Sequence, residues 1–141
     1  CAMKVIKRRS DCPINFGLEL FGDRWTLLII RDIMFKGKQY YGDFISSEEK
    51  IATNLLADRL QMLCDEGIIC KRKDIHHKQK IVYKLTQKGI DLMPVLVELI
   101  MWSAKYDKHS AVEKEFVKNY KKDRNTLIKQ ISSQLNDKLD K

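Results

Sequence analysis

The apolar residues of this chain change their period at one point, and that change constrains the fold more than any other feature. In "IATNLLADRLQMLCDEG", residues 51–67, Ala52, Leu56, Leu60 and Leu63 recur on one side of a helix. Gly67 is the natural stop for that helix. Beyond it the period falls to that of a strand. "GIICKRK" and "KIVYKLT" are short runs rich in β-branched and apolar residues. Ile81, Tyr83 and Leu85 share the face expected to meet a core, and Val82 and Lys84 share the other. The polar connection "DIHHKQ" joins the two runs into a β-hairpin with a basic tip.

Helices are expected on both sides. "PINFGLELFG" predicts a short helix, with Pro13 in its first turn and Gly22 at its end. "DRWTLLIIRDIMF" predicts a second, with Trp25, Leu28, Ile29, Met34 and Phe35 on its buried face and Asp23 as its N-cap. "KGKQYYGDFISSEEK" has room for one short helix around residues 43–46. After the hairpin, Thr86 can cap "QKGIDLMPVLVELIMWSAKY", a helix apolar on nearly all sides and kinked at Pro94. A small domain cannot bury such a helix alone, so Leu92, Val95, Leu96, Leu99 and Trp102 are expected at a subunit interface. The remainder opens with Ser110 and Glu113 as a capping box. It carries Val112, Phe116, Tyr120, Leu127, Ile131 and Leu135 as a thin apolar stripe that needs another surface.

A length of 141 residues suits one domain with an appendage, divided here as 1–108 and 109–141. The formal charge of +8 and the pI near 9.3 point to a polyanionic partner, nucleic acid ahead of an anionic membrane. Most of that excess comes from residues 68–88, where seven cations stand against Asp74 alone. The longest apolar run, "LMPVLVELIMW", holds Pro94 and Glu98 and is far shorter than the ~20 residues that cross a bilayer. No secretory signal is visible in "CAMKVIKRRSDCP", so a cytoplasmic location away from membranes is expected, with Met3 as the natural start after Cys1 and Ala2.

The order of helix, helix, short helix, amphipathic helix, basic hairpin and helix is that of a winged helix–turn–helix. A recognition helix needs one face fixed to a small core and another bearing short polar groups that reach base edges. A wing needs cations beside phosphates. The chain resembles the HxlR-type transcriptional regulators, relatives of the MarR-type proteins. The residues that carry the likeness are "CP" at 12–13, "GDRW" at 22–25, "IATNLLADRL" at 51–60, "EGII" at 66–69, "VYKLTQKG" at 82–89, and "LMPVL" followed by Trp102. Together they span residues 12–106.

The resemblance implies a DNA-binding homodimer joined through its first and last helices. Some relatives sense oxidants or electrophiles through a cysteine where Cys12 stands. This chain departs from the pattern in its wing loop, which has no proline. It also departs at Lys50, where glycine is common, and at Ala52, where a capping serine is common and Thr53 is expected to cap instead.

On this reading the recognition helix covers about 53–65, with Thr53, Asn54, Ala57, Asp58 and Gln61 on its base-reading face. Asn and Gln can bond adenine in bidentate fashion, and Asp can accept from cytosine. Lys50, Arg59, Lys73, His76, His77, Lys78 and Lys80 are the candidates for phosphate contact, the wing running over 70–84. Arg59 lies nearer the buried side and serves either a phosphate or an internal carboxylate. The plain alternative for both surfaces is a solvated face.

Cys12 precedes Pro13 at a helix start, with Lys7, Arg8 and Arg9 upstream, a setting that favours a reactive thiolate. Its plain alternative is a half-buried small hydrophobe. Zinc is not expected. His76 and His77, adjacent in an extended segment, point to opposite sides, and Cys64 and Cys70 lack the tight spacing of structural sites. None of His76, His77 and His109 has a nucleophile and an orienting acid nearby in sequence, so no cofactor and no enzyme activity are expected. The partners expected are double-stranded DNA, a second copy of the chain, and a small-molecule or oxidant effector. The rival reading is a protein-interaction module that keeps the winged-helix scaffold and binds a partner through its C-terminal helix.

Overall fold

The computed structural model describes residues 8–139. Its architecture is mainly helical with one two-stranded antiparallel hairpin, the winged helix–turn–helix class expected. The described residues form two compact units that divide between Gly89 and Ile90. The sequence division at 108/109 lies one helix further along.

In the first unit, α1 (Pro13–Phe21) has Pro13 in its first turn and closes at Gly22, whose N–H donates to the Leu18 carbonyl at 2.8 Å. α2 (Thr26–Met34) starts later than Asp23 suggests, and its N-cap is Trp25. The Asp23 carboxylate still serves the helix start, accepting from the N–H groups of Trp25 (3.0 Å) and Thr26 (3.2 Å) and from the Thr26 hydroxyl. The buried side of α2 also differs from the expected one. Thr26, Ile29, Ile30, Asp32 and Met34 are buried, while Phe35 is exposed. The sequence pattern put the apolar residues inside and left Asp32 out, because nothing local shows that a carboxylate will find an arginine, a lysine and a serine around it.

α3 (Tyr41–Ile45) is the short helix expected slightly further on. α4 (Thr53–Asp65) matches the predicted recognition helix and buries Leu56, Leu60 and Leu63. Ala52 is exposed, and Ile51 is buried in its place. Ala52 is also the N-cap, without a side-chain bond, so Thr53 is the first helical residue and does not cap. α4 ends at Gly67, whose φ of +72° lets the chain turn so that the Gly67 and Ile68 N–H groups donate back to Cys64 and Leu63.

The hairpin consists of β1 (Ile69–Lys73) and β2 (Ile81–Leu85), paired from Ile69 opposite Leu85 to Lys73 opposite Ile81. Its buried members are Ile69, Val82 and Leu85. Ile81 is exposed, which corrects the expectation that Ile81, Tyr83 and Leu85 enter the core together. At the end of a two-stranded ribbon the core no longer reaches beneath the strand. A third segment joins the sheet edge, since the Tyr83 N–H donates to the Gln39 carbonyl at 2.8 Å. The Phe44 and Tyr83 rings meet edge to face, with centroids 6.1 Å apart.

After β2 the expected single helix is two. α5 (Gln87–Ile90) is brief, and α6 (Met93–Tyr106) follows it. Thr86 takes up its capping role, its hydroxyl oxygen accepting from the Gly89 N–H at 3.3 Å. Gly89 is required by close approach: a Cβ there would lie 2.3 Å from the Ile68 carbonyl oxygen. Pro94 does not kink a helix. It occupies the first turn of α6, where the missing N–H costs nothing.

In the second unit α6 is followed by α7 (Lys114–Lys122) and α8 (Arg124–Asp137). The Ser110–Glu113 capping box does not form. Glu113 is the N-cap of α7, and the Ser110 hydroxyl accepts from Val112 N–H instead. The long stripe is likewise broken at Asp123, whose side chain accepts from the Thr126 N–H at 3.2 Å and so starts a new helix. Leu127 and Leu135 of α8 are buried, as are Met93, Leu96 and Val97 of α6.

Candidate nucleic-acid interface

The pair α3–α4 and the hairpin after it place the candidate residues on the outside. Thr53, Asn54, Ala57, Asp58 and Gln61 are all exposed, Thr53 at the entry of α4 and the other four away from Leu56, Leu60 and Leu63. The turn that aims this helix is pinned at several points. The Tyr41 hydroxyl donates to the Thr53 carbonyl at 2.9 Å. Lys50 adopts a left-handed backbone, φ +56°, a conformation that glycine enters at lower cost. Behind the turn, Arg31 donates to both oxygens of Glu49 at 2.8 Å and to Asp32 at 2.7 Å. The Ser47 hydroxyl donates to Asp32 at 2.6 Å, and the Lys38 ammonium donates to Ser47 at 2.6 Å. The Arg31 fork pushes Glu49 down to about 2, and the paired carboxylates raise Arg31.

Arg59 turns inward. It donates to Asp23 at 2.9 Å and also pairs with Asp58, the residue before it. Burial alone would push Asp23 up; the Thr26 hydroxyl and Arg59 outweigh it and hold Asp23 below its ordinary value. Of the two roles offered for Arg59, the internal carboxylate is the one the fold occupies. Asp58 is thereby engaged as well, and the Gln61 amide donates to Asp65 at 2.8 Å. Among the described residues Asn54 has no such side-chain partner, so its amide edge stands free.

The wing projects Lys73, His76, His77, Lys78 and Lys80 into solvent. Its tip, 74–80, is a turn and not an extended segment. Asp74 organises it: the carboxylate accepts from the Tyr40 hydroxyl and from the His76 N–H (2.9 Å), and the Asp74 N–H donates to the Lys80 carbonyl (2.9 Å). The Tyr40 bond, followed by the His76 N–H, lowers Asp74 below the ordinary carboxylate value. The Lys80 ammonium sits 5.1 Å from the centre of the Tyr40 ring. Tyr40 is the residue shaping this tip that sequence reasoning missed. Asp74 was visible as a lone acid in a basic hairpin, but nothing in the sequence pairs it with a residue 34 positions earlier.

Cys12 is exposed, the N-cap of α1, and not the half-buried hydrophobe of the plain alternative. Its upstream cations are engaged, Arg8 with Asp11 at 3.8 Å and Arg9 with Glu19 at 3.3 Å, while Lys7 lies outside the described residues. Cys64 is half-buried, and burial pushes its thiol up, away from thiolate character. Among the described residues no three of His, Cys, Asp and Glu converge as a metal site, and no helix is long and apolar enough to cross a membrane.

On α6, Val95, Leu99 and Trp102 are exposed, and Leu92 is half-buried. They continue at helical spacing into Tyr106, whose ring centroid is 5.2 Å from that of Trp102. Leu96, grouped with them by sequence, is 5% exposed and belongs to the chain's own packing. Ile14, Phe16 and Leu18 of α1 are also exposed.

The HxlR-like helix-turn-helix family model matches residues 20–111, which cover α2, α3, α4, the hairpin and α6. The chain belongs to this family. An HTH-type transcriptional regulator of Mycobacterium tuberculosis is 35% identical over 93 residues, 66% of this chain and 58% of that protein. The HTH-type transcriptional regulator YdzF of Bacillus subtilis is 25% identical over 100 residues, covering 71% of this chain and 92% of its own length. The reduced form of the transcriptional regulator YodB from B. subtilis superposes with a TM-score of 0.57 at 26% identity, over 72% of this chain and 99% of that one. The redox regulator HypR in its oxidised form gives 0.61 at 26%, over 69% and 99%. The HxlR-like chain is thus an HTH-type transcriptional regulator by family, and not an enzyme.

Proposed function

We propose that this HxlR-like protein is a homodimeric, sequence-specific DNA-binding regulator. In this reading α4 enters the major groove, and the wing lies on the phosphate backbone. The observation that carries it is the exposed face of Asn54, Ala57, Asp58 and Gln61, with Thr53 exposed at its entry, away from the buried Leu56, Leu60 and Leu63 and followed in the chain by the basic hairpin. Asn54 is the residue best prepared for a bidentate contact to adenine, because binding breaks no internal bond. Asp58 and Gln61 must first leave Arg59 and Asp65. Lys50, Lys73, His76, His77, Lys78 and Lys80 supply the phosphate contacts. Two copies meet through Leu92, Val95, Leu99 and Trp102, and the protein works in the cytoplasm, where the chromosome is.

Competition between the protein's own upstream DNA and random duplex, at one stated salt concentration, tests this. Asn54→Ala is expected to lose about 10- to 100-fold of the preference for each half-site, in line with roughly 1–3 kcal/mol per bidentate base contact. Lys73→Gln with Lys78→Gln is expected to weaken both duplexes alike and to flatten the salt dependence by close to one log–log unit for each phosphate left without its cation. Absence of any preference for the upstream DNA would sink the reading and favour the protein-interaction module.

The exposure of Cys12 at a helix start supports a second element, regulation by an oxidant or electrophile. The similarity to HypR, described as a redox regulator, and to YodB, solved after diamide treatment and bound to quinone, points the same way. Stoichiometric labelling of Cys12 with a thiol reagent, with DNA affinity unchanged, would remove that element.

A further inference from the structure

α7 is the one helix of the second unit that buries none of its residues, and its two sides differ sharply. At 100° per residue, Phe116, Val117 and Tyr120 fall on one arc; Lys118 and Lys122 lie opposite it, and Lys114 and Lys121 flank it beside Val117. The apolar arc is half-buried, and its rotation is fixed. The Tyr120 hydroxyl donates to the two oxygens of Glu98 on α6 at 3.0 and 2.8 Å, and Arg124 at the start of α8 pairs with the same carboxylate. The lysines are therefore held on the outside. All four are exposed, and among the described residues none is ion-paired. Within nine residues they face only Glu115.

A like-charged row on a fixed helix face is a cost unless it is only solvated or meets an anion. Its chemistry selects the anion. The row contains no arginine, aromatic or aliphatic residue, and lysine is depleted in the buried centres of protein–protein interfaces. A membrane-surface helix needs an apolar side to insert, and that side of α7 packs within its own unit. Lysine on a long stem suits a backbone whose phosphates recur without demanding a fixed geometry. Lys114 to Lys121 spans about 10 Å along the helix, a length over which duplex DNA presents several phosphates.

We propose that the α7 lysine face is a second phosphate-contacting surface, which binds duplex DNA flanking the operator without reading its sequence. This rests on the DNA-binding reading above. It adds a surface in the second unit that is independent of the wing.

The test uses the full chain and a duplex selected by it from a random pool, prepared as the bare core and as the same core with about 15 added base pairs on each side. The variant is Lys114→Gln, Lys118→Gln, Lys121→Gln and Lys122→Gln combined, with the corresponding four-arginine variant as the charge-retaining control. On the long duplex the glutamine variant, which removes four lysines from each of two copies, is expected to have a salt slope shallower by up to about seven units, at roughly 0.9 for each phosphate no longer neutralised. The arginine variant should match wild type, and all three should coincide on the bare core. Equal slopes on the long duplex overturn the proposal and leave the regulator reading standing. Lysine-dependent binding to phosphatidylserine vesicles with no change on DNA overturns it in favour of a membrane. If wild type prefers no duplex from the pool, both readings fall.

Discussion

The phenol of Tyr40, one residue ahead of α3, donates to the carboxylate of Asp74, one residue past β1. This bond ties the wing tip to the start of the helix–turn–helix, and Asp74 in turn shapes the tip through the His76 N–H. Tyr40→Phe removes the donor and nothing else. The expected outcome is faster amide exchange at Asp74 and His76, with α4 unchanged, and weaker DNA binding at every sequence alike. Because the folded state lowers Asp74, the contribution of this bond is complete above the ordinary carboxylate value and is lost as pH falls through the lower folded value. The difference between Tyr40→Phe and wild type should therefore persist throughout neutral pH and shrink only in acid.

The Arg31–Glu49 pair closes the turn that leads to α4. Its Glu49 is depressed from 4.5 to about 2, so the stabilisation is fully present above about 4.5 and disappears as pH falls through about 2. Glu49→Gln should lower stability by about 1–2 kcal/mol at pH 7, after allowance for its partial exposure. The measurement is the urea midpoint of variant and wild type at pH 7, 4 and 2.5. A gap that stays constant down to pH 2.5 would contradict the assignment.

Lys50 holds a left-handed backbone, at φ +56°, that costs an ordinary residue about 1 kcal/mol. Lys50→Gly should raise stability slightly, by at most about 0.5 kcal/mol, the relief of strain being largely offset by the extra freedom of the unfolded glycine. Lys50→Val should lower it by more. If Lys50 also meets a phosphate, the glycine variant becomes more stable while its DNA affinity drops, so melting and binding read the two roles separately.

The exposed row Val95, Leu99, Trp102 and Tyr106 is too apolar to face water over three turns of α6; Trp102 alone is 65% exposed. Leu99→Glu or Trp102→Glu should convert a dimer to a monomer in sedimentation equilibrium. Leu96→Glu should instead unfold the chain, since Leu96 is already buried within it. Dissociation should abolish tight operator binding while leaving weak half-site binding.

Local patterning was enough for the order of elements up to the hairpin and for the buried leucines of the main helix. The period of Leu56, Leu60 and Leu63 places α4, though not its cap, and Gly67 and the change of period after it place the hairpin. These are legible because helix and strand periodicity, capping and turn chemistry act over a few residues. Helix breaks were less so. Pro94 begins α6 as readily as it would kink a longer helix, and Asp123 caps α8 only because its side chain turns back on Thr126. What the polar residues do was set by the tertiary structure alone. Asp23 with Arg59, Arg31 with Glu49, and Tyr40 with Asp74 lie 36, 18 and 34 residues apart. A polar pair at such separation leaves no periodic trace. Its partner is chosen by which elements the apolar core brings together, and only then does a candidate phosphate ligand such as Arg59 become an internal strut.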